Sequence, residues 1–154
     1  MKRRSFLKGS LAGTTLAVAA GAGLLQPSRV FAADWPEAAM TSESMDAALK
    51  AAFNTTDMSD SDEVKIKAPI QAENGAVVPI QVTTTAKADQ IAVVAEKNPA
   101  PLVSMLNLGA GAGGVYSLRI KMGTTSPVHC IVSSGGKLIK ATQEIKVTVG
   151  GCGG

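Results

Sequence analysis

Apolar and polar residues alternate along most of the second half of the chain. Val64, Ile66, Ala68 and Ile70 are interleaved with Lys65 and Lys67, and Val78, Ile80 and Val82 with Pro79, Gln81 and Thr83. A period of two places one set of side chains on one face of a strand, so both stretches read as half-buried strands. Further strands are predicted over 91–95, 102–108, 115–122, 128–132, 137–140 and 144–149. Glu73-Asn74-Gly75 supplies a turn whose Asn-Gly pair tolerates positive φ. Other breaks fall at Asn98-Pro99-Ala100-Pro101, at 109–114, at Gly123-Thr124-Thr125-Ser126-Pro127 and at Gly135-Gly136. About eight short strands with regular turn chemistry predict a mainly β fold, an immunoglobulin-like antiparallel β-sandwich. A lipocalin-like barrel is the alternative, but aromatics make up only 3% of the chain and give little to line its pocket.

The period changes upstream. Met45, Leu49 and Ala52/Phe53 share one face at helical spacing, which predicts a short N-terminal helix. Thr41, with Ser42 and Glu43, reads as its cap region, Ser44 is a second option, and Asn54-Thr55-Thr56-Asp57 ends it. The following stretch, with Asp57, Asp60, Asp62 and Glu63, reads as a solvated linker. It lacks the D-x-D-x-D-G order and closing Glu of a calcium loop, so no metal is expected there.

Charge narrows the partners. The chain of 154 residues carries a net +3, but Lys2, Arg3, Arg4, Lys8 and Arg29 all lie in the first 29 residues, where no acid occurs. The remainder has 10 basic and 12 acidic residues, a net of −2, so no basic patch for nucleic acid is expected. MKRRSFLK opens an uncharged run of small and apolar residues from Gly9 to Leu25 that closes on Val30-Phe31-Ala32. The run is too short and too rich in Gly and Ala to favour a membrane anchor, which needs ~20 apolar residues. RR-x-F-L-K resembles the twin-arginine export signal, which implies a cleaved leader over 1–32, a periplasmic destination and no membrane attachment afterwards. The remaining divisions are a helix and linker at 33–62, a sandwich at 63–149 and a flexible C-terminal arm at 150–154.

Catalytic hardware is sparse. The glycine-rich stretch at 109–114 is followed by Val115-Tyr116-Ser117-Leu118, which reads as strand, and it reads as a hairpin loop, not a phosphate cradle. His129 and Cys130 are adjacent on a predicted strand and point to opposite faces, so they do not form a nucleophile–base pair. Cys130 alternates with Val128 and Val132 and is expected to be a small buried hydrophobe. Cys152 differs: Gly150, Gly151, Gly153 and Gly154 surround it, directly after Ile145-Lys146-Val147-Thr148-Val149. Glycines cannot build a core around a thiol, but they make a thin strip that fits a narrow channel, and five extended residues reach ~16–18 Å. An exposed thiol in an oxidising compartment needs a use.

GGCGG after V-K-V-T-V, the twin-arginine leader and the segment Ala95-Glu96-Lys97-Asn98-Pro99-Ala100-Pro101-Leu102-Val103 together resemble the SoxY family of periplasmic sulfur carriers. The resemblance implies that Cys152 carries sulfur intermediates as thiosulfonate or persulfide adducts, with no bound cofactor and no catalytic or metal-binding residue in this chain. It implies a heterodimer with the β-sandwich subunit SoxZ. Transient partners would be the haem cytochrome SoxAX, the manganese hydrolase SoxB and the molybdenum–haem dehydrogenase SoxCD. The family pattern has only the terminal cysteine, so Cys130 inherits no role and a Cys130–Cys152 disulfide stays open. The alternative is a thiol enzyme of sulfurtransferase type with Cys152 as nucleophile, which requires an activating environment that mobile glycines do not provide. A third reading is a scaffold sandwich with an inert C-terminus.

Overall fold

Among the described residues, two short helices precede the strands. The structure, a computed structural model, describes residues 36–109 and 111–148. The expected leader at 1–32 and the expected arm with Cys152 lie outside the described residues. Helix α1 (Glu37–Met40) ends at Thr41, whose N–H and hydroxyl both donate to the Glu37 carbonyl. Helix α2 (Met45–Phe53) is capped by Ser44, whose hydroxyl accepts from the Ala47 N–H at 3.3 Å. The cap is thus Ser44, while Thr41 closes the preceding turn. Asn54 stops α2 in the left-handed region at φ 59°, which asparagine tolerates better than most residues.

Among the described residues, nine strands make two facing sheets. The first has the order β1 (Met58–Asp60), β9 (Lys137–Val147), β8 (Ser126–Ser134), β5 (Gln90–Ala95), β6 (Leu102–Asn107), and β3 (Gln71–Ala72) also joins β9. The second has the order β2 (Val64–Lys67), β4 (Val78–Thr84), β7 (Val115–Ile120). All pairings are antiparallel except β1 and β3 on β9, which are parallel. Between β1 and β3 the chain leaves the first sheet, forms β2 in the second, and returns. The C-terminal strand is therefore held by two short segments from early in the chain.

Burial follows the strand pattern. Val64, Val78, Ile80, Val82, Ile91, Val93, Ile120, Val128, Val132 and Ile145 close the core between the sheets. A second core lies on the outer face of the first sheet, where Ala39, Ala48 and Leu49 of the helices cover Ala92, Val94, Leu102, Ile131 and Leu138. Strands β5 and β8 are therefore buried on both faces, which is why Ile91 to Ala95 reads as an unbroken apolar run.

Four expectations change. Residues 58–60 form β1 and are not solvated linker, because their backbone completes the edge of β9. Residues 137–147 form one strand, not two. The stretch after Lys67 is not a continuation of β2, because Ala68 and Pro69 carry the chain across to the first sheet. The turns at 73–77 and 108–114 join strands of different sheets and are not hairpins. Gly75 accordingly lacks positive φ, and a side chain there would strike the Met122 carbonyl. Hairpin geometry with two positive φ values instead appears at Gly135 (55°) and Gly136 (80°), between β8 and β9.

Leu49 is fully enclosed between α2 and the first sheet. Leu49→Ala is expected to lower stability by about 2–5 kcal/mol through lost burial and a residual cavity. Urea unfolding monitored by circular dichroism measures this, and a change within about 0.5 kcal/mol would contradict the helix-covered second core.

Candidate functional site

The last described residue, Thr148, fixes where the Cys152 segment begins. The Thr148 N–H donates to the Ala72 carbonyl at 3.1 Å, and its hydroxyl donates to the same oxygen at 3.2 Å. One residue earlier, the Val147 N–H donates to Thr125 Oγ1 at 3.0 Å. The end of β9 is thus gripped from both edges, by β3 on one side and by the loop before β8 on the other.

Those gripping loops are themselves tied down. The Met122 N–H donates to the Gly75 carbonyl at 2.7 Å, a close approach that the absence of a Gly75 side chain permits. Asn98 Oδ1 accepts from the Gly123 N–H at 3.0 Å, and Asn98 Nδ2 donates to the Lys121 carbonyl at 2.8 Å. The Lys97 N–H donates to Ser126 Oγ at 3.0 Å, with Ser126 fully buried. The 96–101 segment, read in the sequence as a break between strands and as part of the family resemblance, is therefore a brace for the loop that holds the end of β9. A side-chain amide with two backbone partners across the β7–β8 loop leaves no periodic trace, so strand patterning does not find it.

The two candidate chemical residues of β8 face apart, as adjacent strand residues must. Cys130 lies opposite Val93 and Ala141 and is sealed in the core between the sheets. Burial pushes its thiol from 9.0 to about 12, so it stays protonated and unreactive at neutral pH. A Cys130–Cys152 disulfide would require this core to open. His129 turns to the other face, with Nδ1 2.9 Å from Thr142 Oγ1 and Nε2 3.3 Å from Glu96 Oε2. Both ring nitrogens are engaged, and the imidazole links β8, β9 and the 96–101 segment. Among the described residues no three His, Cys, Asp or Glu side chains cluster as a metal site. The glycine-rich loop sits by a cleft of about 500 Å³, where the Gly114 carbonyl accepts from the Thr84 N–H at 2.8 Å. The loop carries the chain from β6 in the first sheet to β7 in the second, and its contact with Thr84 extends the β4–β7 ladder. Cys152 and its four flanking glycines lie outside the described residues.

Comparison with known proteins agrees with this architecture. Residues 49–152 match the family model described as sulfur oxidation protein SoxY. The chain is similar to the solved structure of the sulfur carrier protein SoxY from Chlorobium limicola f thiosulfatophilum, at 36% identity and a TM-score of 0.60. That match covers 68% of this chain and 96% of the other. A variant superoxide reductase (neelaredoxin) from Ignicoccus hospitalis aligns at 18% identity with a TM-score of 0.49, covering 69% of this chain and 90% of its own. No curated protein matches.

Enclosure of Cys130 sets two expectations. In a Cys152→Ser background, Cys130 should resist a thiol-specific chromogenic reagent until denaturant opens the sandwich. Rapid labelling of the native protein would contradict its burial. The folded state also holds the neutral thiol while the unfolded chain ionises from pH 9.0, so this group's contribution is full below pH 9 and lost as pH rises towards 12. Cys130→Ala should narrow the alkaline fall in Tm, relative to wild type, above pH 9.

Proposed function

The chain belongs to the SoxY family, and from that premise we propose that it is a covalent carrier of sulfur intermediates, with Cys152 as the attachment point. The observation that carries the reading is the contrast between its two cysteines. One is locked in the core with a raised pKa, and the other follows a hydrogen-bonded strand end by four residues, between pairs of glycines. A carrier needs both a fixed root, so that partners dock on a defined surface, and a thin tether that fits their channels.

The chemistry follows from the thiol. Oxidative joining of thiosulfate forms a bond between the Cys152 sulfur and the outer sulfur of thiosulfate: RS⁻ + S₂O₃²⁻ gives RS–S–SO₃⁻ and two electrons, which the haem cytochrome SoxAX accepts. Hydrolysis by SoxB then breaks the S–S bond to the sulfo group: RS–S–SO₃⁻ + H₂O gives RS–S⁻, SO₄²⁻ and two protons. The persulfide sulfur that remains is oxidised with water as oxygen source: RS–S⁻ + 3 H₂O gives RS–SO₃⁻, six protons and six electrons, which SoxCD accepts. The carrier itself supplies neither the base nor the metal for these steps, and its lone histidine is occupied by Thr142 and Glu96. SoxZ is the stable partner in this reading, and exposed Ile70 and Val77 are apolar surface that such a subunit can cover. The twin-arginine leader takes the chain to the periplasm, where these enzymes act.

Cys152→Ser is expected to abolish thiosulfate-dependent electron transfer in the system reconstituted with SoxZ, SoxAX, SoxB and SoxCD, with the melting curve unchanged. Cys130→Ala should keep that activity at some cost in stability. Retained activity without Cys152, or thiosulfate turnover by the isolated chain, would contradict the carrier reading.

A further inference from the structure

Cations that are far apart in the sequence gather on the outer face of the second sheet. Ile66, Ile80 and Leu118 turn towards the core, so Lys65, Lys67, Gln81, Ser117 and Arg119 alternate outwards. The two ion pairs among the described residues, His129–Glu96 and Lys140–Asp60, leave Lys65, Lys67 and Arg119 without a carboxylate partner. No acidic residue lies within β2, β4 or β7. The net charge of the chain, which argues against a nucleic-acid surface, does not reveal this local grouping.

A cleft of about 680 Å³ opens on this side where β2 stops. The β2–β4 ladder ends at Lys67 opposite Gln81, and Pro69 has no N–H with which to continue it. Strand β4 runs on to Pro79, opposite Arg119. Lys67 and Arg119 thus flank a recess bordered by Pro69 and Pro79, with Gln81 and Ser117 between them. The Gln81 side-chain amide donates to Ser117 Oγ at 3.3 Å, which leaves its second N–H free for a ligand. A guanidinium fork, an ammonium and neutral donors in one recess suit a compact oxyanion.

The recess is close to the root of the C-terminal segment. Pro69 precedes Ile70, whose carbonyl accepts from the Lys146 N–H at 2.9 Å. Cys152 follows Thr148, the last hydrogen-bonded residue of this edge, by four residues, an extended reach of about 13 Å.

We propose that the Lys67–Arg119 cleft binds the sulfo group of a small sulfur oxyanion, which free thiosulfate and a Cys152-bound S–SO₃⁻ adduct both present. The second source rests on the carrier reading. The full chain, labelled with ¹⁵N, is titrated with sodium thiosulfate at constant ionic strength, with chloride as the reference. In a second arm Cys152 is loaded with tetrathionate: the thiolate bonds to one central sulfur, the central S–S bond breaks, and thiosulfate leaves with the electron pair. Excess reagent is removed, and Cys152→Ser treated identically is the control.

Thiosulfate should shift the amides of Lys67, Gln81 and Arg119 well beyond chloride. Lys67→Gln with Arg119→Gln should weaken its binding by about tenfold or more, while Lys140→Gln leaves it unchanged. The loaded chain should show the same shifts without added anion and independently of protein concentration. Shifts with free thiosulfate alone would support the cleft with the free anion as its ligand. No cleft shift in either arm, or equal shifts with chloride, would overturn the proposal. Chemical loading bypasses the partner enzymes, so failure of the cleft and failure of the carrier reading are separately visible.

Discussion

The free edge of β9 is the constraint on which the rest of this structure depends. An eleven-residue strand paired only with β8 would leave a row of unmet N–H and C=O groups and invite pairing with another chain. Instead the early part of the chain covers that edge. The Ser61 N–H donates to the Lys140 carbonyl, Gln143 Nε2 to the Ala68 carbonyl, the Lys146 N–H to the Ile70 carbonyl and the Thr148 N–H to the Ala72 carbonyl. Lys140, Lys146 and Thr148 differ by even numbers, so their backbone groups face the same side, as one continuous edge requires. The strand that precedes Cys152 in the sequence is therefore held through Thr148 by contacts with an early part of the chain.

That arrangement separates two tasks that one thiol cannot combine. Reactivity requires an accessible thiolate, and stability requires apolar groups hidden from water. Cys130 serves the second: enclosed between Val93 and Ala141, it packs as a small hydrophobe and is chemically silent. Cys152 follows the last core residues of β9 in the sequence, between two pairs of glycines that have no side chains to bury. The brace formed by Asn98, Gly123, Thr125 and Val147 holds the last residues of β9.

Much of this was legible in the sequence wherever the pattern was local. The alternation at Val64 to Lys67 and Val78 to Thr84, the face of Met45 and Leu49, and the buried position of Cys130 all follow from side-chain periodicity. What stayed hidden depends on pairing between distant segments. Met58-Ser59-Asp60 is too short and polar to read as a strand, and only the open edge of β9 makes it one. Gly75 looked like a hairpin glycine, whereas its missing side chain serves a close approach to Met122. The positive face escaped a net count because Lys67 and Arg119 become neighbours only through the ladders on β4. The reading of Cys152 rests on the sequence alone, where four glycines around one cysteine offer no side chain to pack.

The central claim is a division of labour between two cysteines, and adduct mapping tests it most directly. Trypsin separates them, because cleavage after Lys121, Lys137 and Lys146 places Cys130 and Cys152 on different peptides. After reaction of the chain with thiosulfate and its oxidising partners, peptide mass spectrometry should find the thiosulfonate adduct only on the C-terminal peptide beginning at Val147. The Cys130 peptide should remain unmodified. An adduct on the Cys130 peptide, or a C-terminal peptide that stays unmodified while thiosulfate is consumed, would contradict the account.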